Sequence, residues 1–82
     1  MTQSRSQTYL SELLPGDEAI VFGLEAKGAM RHRLLEMGFI RGTCLKVEKF
    51  APMGDPIEII IKGCHISLRR EDCQSVLVVK ES

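Results

Sequence analysis

The side chains with the widest chemical repertoire in this chain are three cysteines, Cys44, Cys64 and Cys73, and two histidines, His32 and His65. Structural zinc sites take their ligands as close pairs, of the C-x₂₋₄-C kind. The one close pair here is Cys64-His65, and neighbours on a strand point to opposite faces of a sheet. Cys44, Cys64 and His65 are therefore weak metal candidates that offer at most weak Fe²⁺ or Zn²⁺ binding, and no cofactor is required. Widely spaced cysteines in odd number, with no C-x-x-C, set no disulfide framework and fit a reducing compartment. His32 and Glu36 have helical i, i+4 spacing, which makes a solvated surface pair before it makes a ligand pair. Nucleophilic catalysis needs a Cys or Ser with a positioned base and an oxyanion site. The two histidines fall on different segments, and nothing ties either to a cysteine. No G-K-[ST] phosphate loop occurs. No catalytic residue is assigned, and the chain is not read as an enzyme.

Nucleic-acid binding is disfavoured by charge. Across 82 residues, Lys plus Arg equals Asp plus Glu at 11 each, so no global positive field draws in a phosphate backbone. Arg31, Arg33, Arg41, Arg69 and Arg70 would need exposed aromatics beside them for base stacking. Phe22, Phe39 and Phe50 are read as core instead. Protein–protein recognition remains. Its best carrier is Ala51-Pro52-Met53-Gly54-Asp55-Pro56, a loop bracketed by prolines with Met53 at its tip. Such a loop loses little entropy on binding, and methionine suits adaptable interfaces. The same residues read equally well as a tight connection between strands.

The elements that would position these groups follow from periodicity. Leu14-Pro15-Gly16-Asp17 has the chemistry of a type II turn. Ala19 to Leu24 reads as a strand, with Gly23 marking a bulge. Lys27 to Met37 reads as a helix with Met30, Leu34 and Met37 on one face and Leu35 on its flank, and Gly38 suits the left-handed position after its end. Thr43 to Phe50 alternates with Leu45 and Val47 on one face and Cys44 on the other. Ile57 to Lys62 and Cys64 to Arg69 form a hairpin. Cys64 shares parity with Ile66 and Leu68, which places it in the core. Arg70 to Gln74 reads as a helical turn with Cys73 packed inward, and Ser75 to Val79 as a last strand. Residues 1–8 are expected to be a flexible polar lead-in, 9–79 the folded domain and 80–82 a frayed tail. About five short strands and one helix curl most readily into a small barrel, so the expected fold is mainly β: an SH3-like barrel with one inserted helix. The N-terminus lacks the apolar stretch of a signal peptide, and no run is long enough to span a membrane. A cytoplasmic monomer without membrane insertion is expected.

Four segments carry a family resemblance. Arg33-Leu34-Leu35-Glu36-Met37-Gly38-Phe39-Ile40-Arg41-Gly42-Thr43 resembles the R-L-x-x-L-G-x-x-P-G-T segment of the FeoA family. Ala51-Pro52-Met53-Gly54-Asp55-Pro56 resembles its A-P-L-G-D-P loop. Ile66-Ser67-Leu68-Arg69-Arg70-Glu71-Asp72 is similar to its L-x-L-R-x-x-E/D segment. Leu10-Ser11-Glu12-Leu13 with Pro15-Gly16 is similar to its opening L-S-x-L-x-x-G. The match runs over residues 9–79 with all segments in order. Arg41 departs from the family's usual Pro, and Cys73 replaces a residue that is usually small. The resemblance implies an SH3-like barrel that assists FeoB, a membrane ferrous iron transporter with a cytosolic GTP-binding domain. The same fold serves as the C-terminal domain of iron-dependent repressors, which makes a metal-sensing module the alternative function. For a docking protein, the helix and the proline loop are expected to border one shallow groove. Its lining would be Met30, Arg31, Leu35, Pro52, Met53, Gly54, Asp55 and Pro56, with Leu35 and Met53 as apolar anchors beside Arg31 and Asp55.

Overall fold

The computed structural model describes residues 7–81. In chain order the elements are β1 (Gln7–Tyr9), a 3₁₀ turn (Leu10–Glu12), β2 (Glu18–Leu24), α1 (Gly28–Glu36), β3 (Cys44–Phe50), β4 (Ile57–Ile61), β5 (Cys64–Leu68), α2 (Arg70–Cys73) and β6 (Val76–Glu81). The strands form one antiparallel sheet in the order β1-β6-β2-β3-β4-β5. Alternation sends Ala19 and Val21, Leu45 and Val47, Ile57, Ile59 and Ile61, Leu68, and Val76 and Val78 into a single core. That core is closed by Leu10 and Leu13, by Leu34 and Phe39, and by Cys73. One face of every long strand therefore looks inward, as a curled sheet requires. Two bulges assist the curl, at Phe22 in β2 against β6 and at Glu48 in β3 against β4, because an extra residue bends a strand and sharpens its twist.

The helix ends where its sequence says it should. Gly38 has φ +108°, its N–H donates to the Leu35 carbonyl at 3.1 Å, and the Phe39 N–H donates to the Leu34 carbonyl at 3.0 Å. This is a Schellman closure, with its usual apolar contact supplied by the buried pair Leu34 and Phe39. The turn at Leu14 to Asp17 also forms as expected, with the Asp17 N–H on the Leu14 carbonyl at 2.9 Å.

Four details differ from the sequence reading. A sixth strand, β1, pairs Gln7, Thr8 and Tyr9 with Val79, Val78 and Leu77. Two residues assigned to a flexible lead-in are thus ordered; residues 1–6 lie outside the described part. At the other end, β6 does not fray at residue 80. Lys80 stands opposite Ala19, Glu81 opposite Glu18, and Lys80 Nζ lies 3.6 Å from Asp17. Cys64 is exposed rather than buried. Its parity is as read, since it stands opposite the buried Ile61. However, burial along that face of β5 falls from Leu68 through half-buried Ile66 to Cys64, which lies beside the hairpin turn and beyond the core. Finally, only Phe39 of the three phenylalanines is fully buried; Phe22 and Phe50 lie half-covered under Arg41 and Arg70.

Two predictions follow from the cysteine positions. In the native protein, Cys44 and Cys64 should react rapidly with a thiol reagent and Cys73 only on unfolding; native labelling of one or of three thiols would contradict the fold. Stability should also fall in alkali. Burial first, and the neighbouring Asp72 second, push the Cys73 thiol from 9.0 up to about 12. The unfolded chain then releases a proton above pH 9 that the folded chain keeps. Stability is whole below the unfolded value and declines as pH climbs toward the folded one, by at most about 1.4 kcal/mol per pH unit. The Tyr9 hydroxyl, which donates to Glu25 Oε2 at 2.9 Å, is also raised, chiefly by that bond, and acts in the same direction. Urea midpoints measured between pH 8 and pH 11 should decline less steeply for Cys73→Ala than for the parent, whatever that variant loses at neutral pH.

Candidate functional site

The proline loop is held by one residue that the sequence reading passed over. Arg70 opens α2, and its side chain reaches back across the loop. Its Nε and Nη2 donate to the Gly54 carbonyl at 3.1 and 2.9 Å, and its Nη1 donates to the Ser11 carbonyl at 3.1 Å. The guanidinium carbon lies 4.7 Å from the centre of the Phe50 ring. The Arg70 backbone N–H donates to Asp55 Oδ1 at 2.9 Å, so Asp55 satisfies a free donor at the start of α2 from outside the helix. The loop closes on itself through the Ala51 N–H to the Pro56 carbonyl at 3.0 Å and the Gly54 N–H to the Ala51 carbonyl at 2.7 Å. The Asp55–Pro56 bond is cis.

This bracing displays Met53. Its side chain is 92% exposed, beside the exposed Pro52. A large apolar side chain held that far into water by an ordered loop does nothing for the core, and is the kind of group that anchors an interface. Gly54 and Asp55 serve the fold: one gives its carbonyl to Arg70, the other caps α2. Asp55 retains its second carboxylate oxygen on the surface.

The single groove expected between helix and loop is two hollows. One, of about 480 Å³, lies between α1 and the β5–α2 segment, where Met30, Arg33 and Met37 face Ser67, Leu68 and Arg69, with Glu71 and Asp72 at its end. The other, of about 360 Å³, is lined by Asp55, Pro56, Arg69 and Glu71. They share Arg69 and Glu71, so Met30 on one side and Asp55 with Pro56 on the other border a common ridge. Of the lining expected from sequence, Arg31, Leu35, Pro52, Met53 and Gly54 line neither hollow; Met30, Asp55 and Pro56 do. Leu35 is 36% exposed on the opposite flank of α1, and Arg31 Nη1 donates to the Leu24 carbonyl at 3.3 Å. The sequence reading missed Arg69, Arg70 and Glu71 as site residues. Two arginines opening a helical turn directly after a strand, in a chain whose proline loop carries an aspartate, were the available signal.

The metal candidates do not converge. Cys44 and Cys64 sit on β3 and β5 with β4 between them, and His65 Nδ1 is 3.1 Å from Glu48 Oε1. Among the described residues no three His, Cys, Asp or Glu side chains gather around a metal-sized space. His32 Nε2 meets Glu36 Oε2 at 3.1 Å on the solvent side of α1. Among the described residues no helix is long and apolar enough to cross a membrane.

A curled six-stranded sheet with a braced, methionine-tipped loop and shallow hollows defines a small β domain of the SH3-like class. Residues 8–80 match the FeoA domain, and the chain belongs to that family. It is 44% identical over 69 residues to a Porphyromonas gingivalis protein described as an Fe(2+) transport protein A/Fe(2+) transporter FeoB fusion; the match covers 84% of this chain and 8% of that protein's length. The FeoA protein of Chlorobium tepidum, 41% identical, superposes with a TM-score of 0.85 over 92% of this chain and 71% of its own. The Stenotrophomonas maltophilia FeoA, a prokaryotic SH3 domain protein crystallised in complex with zinc, is 27% identical with a TM-score of 0.79 over 90% of this chain and 95% of its own.

Proposed function

We propose that this chain is a small cytoplasmic accessory protein of bacterial ferrous iron uptake. It acts by binding the cytosolic part of a FeoB-type membrane GTPase transporter, to regulate, assemble or activate it, and performs no chemistry itself. One observation carries the reading: a relative 44% identical to this chain joins transport protein A and the transporter FeoB in one polypeptide. Fusion holds two modules at a high effective concentration, which serves partners that work in contact. The geometry supports it, because the loop spends its hydrogen bonds on rigidity and leaves Met53 free as an anchor. The role needs no bound metal and no second copy of the chain.

A pull-down with the purified cytosolic part of the transporter, run in chelator, tests this. The parent chain should be retained. Met53→Asp should cut retention about thirtyfold, the range of an interface hot spot, because it places a charge in an apolar contact. Its melting temperature should match the parent's, since the side chain touches almost nothing. Gln74→Ala, at an exposed position after the last residue of α2, should change neither. A folded Met53→Asp variant that binds normally would remove the loop from the interface, and a parent chain that never binds would refute the function.

A further inference from the structure

The cations on and flanking α1 take part in no ion pair among the described residues. Lys27, Arg31, Arg33 and Arg41 are all exposed. The ion pairs among the described residues are His32–Glu36, His65–Glu48 and Lys80–Asp17, and none of them uses these four. In a chain whose charges balance at 11 against 11, the stretch from Glu25 to Arg41 carries four cations against Glu25 and Glu36. The balance elsewhere is correspondingly acidic.

Two of the four are fixed on β2. The Arg31 guanidinium is tied to the Leu24 carbonyl at 3.3 Å, and that of Arg41 stacks 4.9 Å from the centre of the Phe22 ring. Their anchor points are thus two residues apart on one strand. A guanidinium stacked on a ring keeps its edge of N–H donors for a carboxylate. Two exposed apolar side chains neighbour them along the chain, Leu35 at 36% and Ile40 at 45% exposure. Leu35 lies one helical turn beyond Arg31, and Ile40 directly precedes Arg41.

The geometry points to this flank of α1, with Arg31 and Arg41 as carboxylate receptors and Leu35 and Ile40 as apolar anchors, as a docking face for an acidic segment of the partner protein. The inference rests on the reading that the chain works by docking, and adds a second contact away from the Met53 loop. Charge complementarity of this kind sets register and speeds encounter. An anionic membrane is the weaker fit. Membrane-binding basic clusters carry about four to eight Lys or Arg close together, whereas here Glu25 and Glu36 interrupt the cations and both arginines are held by contacts within the protein.

The test is binding of the parent and of charge variants to the purified cytosolic part of the FeoB-type transporter, with vesicles of equimolar phosphatidylcholine and phosphatidylglycerol in parallel. The Arg31→Glu, Arg41→Glu double variant should weaken binding roughly a hundredfold. The milder Arg31→Gln, Arg41→Gln pair, which keeps the bulk over Phe22, should weaken it roughly tenfold. High salt should weaken the parent's binding, and Lys46→Glu, an exposed reversal on β3, should leave it intact. Parent binding that ignores both arginine pairs, or that falls equally with Lys46→Glu, overturns this face while leaving the docking function in place. A parent chain that binds the vesicles and not the protein overturns both.

Discussion

Arg70→Ala is expected to cost about 4 kcal/mol and to lower the melting temperature by about 20 °C, on the scaling for a domain of this size. The side chain donates three hydrogen bonds to two carbonyls, those of Gly54 and Ser11. Charged donors of this sort are worth about 1.5–3 kcal/mol each when broken, though not additively, and the stacking on Phe50 adds about 0.5–1 kcal/mol. Arg70→Lys should recover little, because one ammonium cannot span two carbonyls in different segments and has no plane to lay on the ring. The loop should loosen before the sheet does, so amide exchange at Gly54 should rise in Arg70→Lys even where the global melt moves modestly. A fall of less than about 5 °C for Arg70→Ala would mean that water replaces the guanidinium at both carbonyls without loss.

The second large effect is expected at Gly38. Gly38→Val should destabilise by about 3 kcal/mol, since a φ of +108° is a genuine outlier for a β-branched residue. Room is not the obstacle, because an added Cβ would meet only Lys62 Cδ at 3.6 Å. The strain lies in the backbone, and relieving it would undo the two hydrogen bonds that close α1 and turn Phe39 into the core. Gly54→Ala, at φ +87° in open space, should cost about 1–2 kcal/mol from conformation alone. Thermal melts that rank Gly54→Ala as the worse of the two would contradict the helix closure.

The elements that could be read ahead of the structure were those whose signal is local. Alternation in Ile57 to Ile61 and in Leu45 to Val47 names the core side of two strands, and Gly38 followed by an aromatic names the end of a helix. Cys73 was legible as core because it falls inside a short turn that must pack. Cys64 was not, since parity says which face a residue is on and nothing about how far the core extends along it. β1 was hidden because Gln7 and Thr8 are polar, and a short edge strand pairing on one side only needs no apolar pattern. Met53 stood out as a loop-tip methionine. The residue that makes its loop rigid, Arg70, acts across the whole domain to Ser11, and such distance leaves no trace in periodicity. Two hollows stand where one groove was expected, with Arg69 and Glu71 common to both, and Gly54 spends its carbonyl on Arg70.

The pairing of Gln7 with Val79 has a mechanical meaning. β1 and β6 are antiparallel neighbours, so Gln7 and Val79 are the ends of their shared ladder, and β6 runs on beside β2 to Glu81. Tension applied between those ends would open the ladder one rung at a time from Gln7 and Val79, as a zipper opens, instead of shearing all its hydrogen bonds together. A load carried through one end alone leaves that ladder unstressed.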